Sequence, residues 1–127
     1  MNAAVQETVH RFFHAVDRHD WTDVRACLDD EIAVDGVQVI PADEYVAARE
    51  RGLDGVRLHH RCENHRVEVD GEHAECSCAA LVLRTDERGR TFDTAARFTY
   101  GLTRSGNRWR IHRIARKVLW TRGAPLR

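Results

Sequence analysis

From Val56 onward the chain alternates between long extended runs and three turn signals. Residues 56–70, 73–85, 91–104 and 108–121 each read as a strand, separated by Asp70-Gly71, Glu87-Arg88-Gly89 and Ser105-Gly106-Asn107. Turns this short join neighbours antiparallel, so the four runs form hairpins in series. Each is longer than the usual strand of about 5–6 residues, and long antiparallel strands bend at bulges, where the inside–outside phase slips. The slip is legible in the first strand. Leu58, His60, Cys62 and Asn64 alternate with the charged Arg61 and Glu63, which turns the first set inward. Further on Val67 and Val69 face inward while Arg66 and Glu68 face out, so the phase inverts near Asn64-His65. His60 then points into the core and His59 away from it.

The first half is helical. Val5, Val9, Phe12, Phe13 and Val16 recur at helical spacing, which predicts an amphipathic helix over residues 3–18. A second, shorter helix over residues 22–28 follows, capped by Asp20 or Thr22. A strand begins at Glu31, and Ile32, Val34, Val37 and Val39 suggest a short strand pair or a bent strand broken at Asp35-Gly36. Pro41 opens a third helix, with Asp43 and Glu44 near its positive end. Helices followed by a meander make an α+β fold in which a curved sheet wraps around the helices.

At 127 residues this is one domain, 1–127, with enough chain to bury a core without metal or disulfide support. Twenty basic and twenty acidic residues cancel, so no field recruits nucleic acid or an anionic membrane. The start, MNAAVQETVH, has neither a basic region nor an apolar segment, and the expected location is the cytoplasm. Cys27, Cys62, Cys76 and Cys78 fit no redox or zinc spacing and read as free thiols in a reducing compartment.

Four segments, in this order and spacing, carry a resemblance: AVDRHDWTDVRACLDDEIAVDG, HHRCENHRVEVDGEHAECS, the Phe98–Gly106 hairpin, and NRWRIHRIARKVLWTRG. The chain resembles the SnoaL-like branch of the nuclear-transport-factor-2-like superfamily over nearly its whole length. The resemblance implies a cone-shaped α+β fold: three N-terminal helices on a strongly curved mixed or antiparallel sheet that encloses a pocket. It also implies a homodimer through the sheet. Within that superfamily, scytalone dehydratase and the bile-acid dehydratases use an Asp ending the first helix and a His on the first long strand. Asp17 and His60 match these positions. Val16 stands where a tyrosine commonly precedes the Asp, no tyrosine lies near Asp35-Gly36, and a residue near Arg84 replaces a second histidine.

A carboxylate accepting from one imidazole nitrogen fixes the tautomer and makes the other nitrogen a better base. The expected chemistry is therefore cofactor-free lyase or isomerase catalysis on a hydrophobic cyclic hydroxy-ketone, such as a polyketide or steroid-like molecule. Asp17 orients His60, and His60 is the general acid/base. Asn64 or Tyr100 would hydrogen-bond the substrate oxygen, with Tyr45, Trp120 or water as other electrophilic helpers. Phe13 and Trp120 would floor the pocket for a flat ring, and Trp21 and Phe98 are further candidates for its lining. The alternative is a non-catalytic module binding a small hydrophobic ligand. His10 and His14 lie at i, i+4, but no further ligand completes a metal site, and they read as a solvated helix flank. The arginines from Arg84 through Arg116 to Arg122 read as a charged outer sheet face. Arg84 or Arg113 would be the exception that reaches the pocket and clamps an anion.

Overall fold

Six strands form one sheet in the order β2-β1-β6-β5-β4-β3, with three helices packed on one face. They belong to a computed structural model that describes residues 2–36 and 38–126. In chain order the elements are α1 (Asn2–Asp17), α2 (Trp21–Ala26), β1 (Leu28–Val34), β2 (Gln38–Pro41) and α3 (Ala42–Gly52). Then follow β3 (Arg57–Asp70), β4 (His73–Thr85), β5 (Thr91–Ser105) and β6 (Arg108–Gly123). All strand pairs are antiparallel except β1 with β6, so the sheet is mixed, and it is open, with β2 and β3 at its edges. The first of the two short strands starts at Leu28, three residues ahead of the expected Glu31, because Leu28 pairs with Ile111. Val37 lies outside the described residues.

Helix α1 buries Val5, Val9, Phe12, Phe13 and Val16 on the face its spacing predicts. Its end is specific. The His19 amide donates to Val16 and the Asp20 amide to Ala15, at 3.0 and 2.9 Å, with His19 left-handed at φ +56°. This is the paired arrangement that closes many helices on a left-handed residue, and here it leaves Asp17 in the last turn. Asp20 then caps α2, its carboxylate accepting from the Asp23 amide at 3.1 Å. Arg11 forks onto Asp23 and ties α1 to α2. That contact holds the Asp23 carboxyl below its usual range.

The inner face of the sheet completes the core with Cys76, Cys78, Ala80 and Val82 from β4, and Phe98, Tyr100 and Leu102 from β5. Each large apolar side chain buried this way is worth about 1.5–3 kcal/mol. The expected inversion in β3 is present: the register with β4 shifts between Glu63 and Arg66, with Asn64 left-handed at φ +57°. All four cysteines are free, three buried and Cys62 half-buried.

Three residues expected in the pocket lie elsewhere. Asn64 forms the bulge and is exposed, so it reaches no internal ligand. Trp21 stacks at an angle on His19 and packs on the rim of the core, because α2 starts with it rather than after it. Trp120 is 50% exposed, since a register shift in β6 opposite Ala95 and Ala96 puts it in a row with Ala95, Leu81 and Arg61. Ala80 and Val82 occupy the core, so Leu81, and Trp120 with it, belongs to the outer face.

Candidate active site

Asp17 and His60 meet. One Asp17 carboxylate oxygen lies 2.5 Å from His60 Nδ1, and the other accepts the His60 backbone N–H at 2.9 Å. The carboxylate therefore grips both the ring and the backbone of one residue. The His60 side chain is 6% exposed and that of Asp17 16%, whereas His59 is 66% exposed, with Nδ1 3.7 Å from Asp17. An ionised carboxylate can only accept, so Nδ1 is the donor, and in the neutral imidazole that tautomer leaves Nε2 with its lone pair. The C-terminal turn of a helix is an electrostatically poor place for a carboxylate. The two N–H donors of His60 are what hold Asp17 there.

The imidazole lies flat on Phe13, with centroids 4.7 Å apart and planes at 29°. Phe13 in turn meets Phe98 and Tyr100 edge-on at 5.6 and 5.5 Å. These rings wall a cavity of about 220 Å³ that His60 lines between the helices and the sheet. Val16, Val82 and Ile114 add apolar surface. Two phenols also border it, Tyr100 and Tyr45, and burial pushes both up, so they remain O–H donors at neutral pH. Of the residues expected from sequence, Asp17, His60, Phe13, Phe98, Tyr100 and Arg84 converge here, with Asp17 behind His60 rather than on the cavity wall.

The same cavity receives groups that sequence reasoning placed outside it or did not weigh. Arg116 faces inward, in one row with Phe98, rather than joining the outer face. Its signal was the alternation Ile114, Arg116, obscured by the second register shift opposite Gly101 and Leu102. Arg49 lines the cavity because Ala42, Tyr45, Val46 and Arg49 recur at helical spacing on the inner side of α3. Asp35, left-handed at φ +52°, also borders it, and its carboxylate accepts from the Arg116 backbone N–H at 2.9 Å. Arg113 stays outside, paired with Glu75 at 2.8 Å. His10 meets His65, Nε2 to Nε2, at 2.8 Å. Among the described residues no group of three or more His, Cys, Asp or Glu is arranged to hold a metal ion. No helix among them is long and apolar enough to cross a membrane.

A helix-backed, open curved sheet around an internal cavity, with an acid–imidazole pair in its wall, defines the cone-type α+β class. The family model for the SnoaL-like domain matches residues 2–115, and the chain belongs to that family, within the nuclear-transport-factor-2-like superfamily. Among solved structures, the Kfla4162 protein of Kribbella flavida superposes with a TM-score of 0.86 at 18% identity, covering 94% of this chain and 91% of that one. A scytalone dehydratase candidate from Novosphingobium aromaticivorans DSM 12444 gives 0.85 at 14% identity, covering 98% and 88%. Hexachlorocyclohexane dehydrochlorinase LinA-type3 of Novosphingobium barchaimii LL02 gives 0.80 at 17% identity, covering 96% and 88%. At these identities the likeness is one of fold. No curated protein sequence matches the chain.

Proposed function

We propose that the protein is a cofactor-independent lyase or isomerase in which His60 Nε2 is the general acid/base and Asp17 its orienting partner. The observation that carries this reading is the double contact of Asp17 with His60 against the wall of a cavity. In the proposed step Nε2 takes a proton from the carbon next to a ketone, the C–H pair becomes a C=C bond, and a β-hydroxyl leaves. The imidazolium returns the same proton to that hydroxyl, and water departs. Delivery to another carbon instead gives isomerisation. Tyr100 or Tyr45, held protonated by burial, would hydrogen-bond the ketone oxygen as charge develops. Relatives of the same fold named for dehydration and dehydrochlorination support β-elimination as the type of reaction.

The cavity also argues size. Its 220 Å³ is smaller than the roughly 300–1,000 Å³ of sites for drug-sized ligands. Among cyclic hydroxy-ketones this favours single-ring compounds over steroid-like ones. The same modest volume favours the second reading, a non-catalytic module that holds a small ligand. A panel of single-ring β-hydroxy-ketones followed by enone absorbance decides between them. Turnover that falls about 10²–10⁴-fold in His60→Gln, the usual contribution of a positioned base, supports catalysis. Ligand binding without turnover in the wild type supports the module.

A further inference from the structure

The cavity is chemically mixed. Beside His60 and the aromatic rings, Arg49 from α3, Arg84 from β4 and Arg116 from β6 line it, with Arg116 in register opposite Phe98. None of the three has a carboxylate within ion-pairing reach among the described residues, although seven other arginine–carboxylate ion pairs form there. The nearby acids are committed otherwise. Asp93 is forked by Arg122 at 2.7 and 3.1 Å, and Asp35 turns an oxygen to the Arg116 backbone. Arg84 has only a hydroxyl, Thr94 Oγ1 at 2.9 Å, and the face of Phe92, 5.4 Å away. The Nε of Arg49 is buried without any hydrogen-bond partner.

Burial, followed by Arg116 and Arg49, depresses the Arg84 guanidinium, so Arg84 feels the other two cations. Gathering like charges around a cavity with a buried, unmatched donor is costly unless an anion enters. We propose that the natural ligand carries a carboxylate, bound by Arg49, Arg84 and Arg116, on a single apolar ring that lies against Phe13 and Phe98. A planar carboxylate matches the fork of a guanidinium bidentately, and the ring walls exclude a bare inorganic anion as the whole ligand. The assignment rests on the proposed reading of the cavity as a ligand site, not on His60 as a base. In an eliminating enzyme it narrows the substrate to a ring-bearing keto acid.

Titration calorimetry with benzoate, benzamide and inorganic phosphate tests this on the intact chain. Benzoate is expected to bind at least about tenfold tighter than benzamide, and Arg116→Gln or Arg84→Met to weaken benzoate by about tenfold or more, one charge-assisted hydrogen bond. Arg113→Gln, outside the cavity, leaves benzoate binding unchanged. If Arg84→Met does not fold, Arg116→Gln at the exposed rim carries the test alone, with Arg116→Lys restoring part of the affinity. Equal binding of the two benzene probes, or benzoate binding indifferent to Arg116→Gln, overturns the proposal. So does phosphate binding as tightly as benzoate. His60→Gln separates the two readings: it is expected to keep benzoate binding even if no substrate is turned over.

Discussion

At the scale of single residues, Asp17→Asn is the informative change. It keeps size and one acceptor oxygen but removes the charge that, in the proposed step, would stabilise the imidazolium formed at His60. The chain is expected to fold, and turnover to drop by roughly 10²-fold or more, measured as kcat on an identified hydroxy-ketone beside an unchanged circular dichroism spectrum. A second consequence concerns acid. His65 is held below its ordinary 6.5, chiefly by burial and then by His10. A histidine lowered in the folded state binds fewer protons there than when unfolded, so its contribution is complete above about pH 6.5 and is lost as pH falls from there through the lower folded-state value. Urea midpoints should therefore decline between pH 7.5 and 5, and His65→Gln should flatten part of that decline. His112, lowered in the same direction, accounts for more of it.

At the scale of elements, the bulge at Asn64 decides which way His60 points. Its left-handed backbone suits Asn and Gly and strains a β-branched residue by about 1–2 kcal/mol. Asn64→Val should lose about that much stability in urea melts and disturb the register of β3, whereas Asn64→Gly should lose little. Asp20→Ala, which deletes the cap of α2, is expected to cost about 1 kcal/mol by the same measurement. The bulge was legible because charged and apolar residues exchange phase around Asn64-His65, and the long strands were legible because Gly-containing turns punctuate them. The two shifts in β6 were not, since Arg113, Arg116 and Lys117 give no apolar contrast from which to read a phase. The same silence hid Arg116 in the cavity and Trp120 outside it. Asp17 and His60 could be paired from position in a recognised pattern; Arg49 could not, because nothing local says which helix face closes the cone.

At the scale of the whole molecule, the outer face of the sheet carries an apolar patch. Leu119 and Trp120 are about half exposed beside Ala79, Leu81 and Ala95, around a shallow depression of about 610 Å³. This patch is remote in function from the Asp17–His60 pair, since β4 and β5 present their other side to the cavity. We propose it as the surface through which two copies pair. Light scattering should then report a dimer, and Trp120→Asp should weaken pairing by about 30-fold or more, the loss of an interface anchor worth about 2 kcal/mol. A wild-type chain that stays monomeric at high concentration would rule this out.

The hydrogen bond from the His60 backbone to Asp17 has a colloidal consequence. Strand β3 is an edge, and the His60 amide points to Asp17 instead of to another strand. Bare edge amides are templates on which a foreign strand can add. The carboxylate that orients the imidazole thus also stoppers the sheet at that point. Asp17→Asn keeps an oxygen for the amide and should stay soluble while inactive. Asp17→Ala, with no acceptor at all, should both lose activity and aggregate faster on gentle heating.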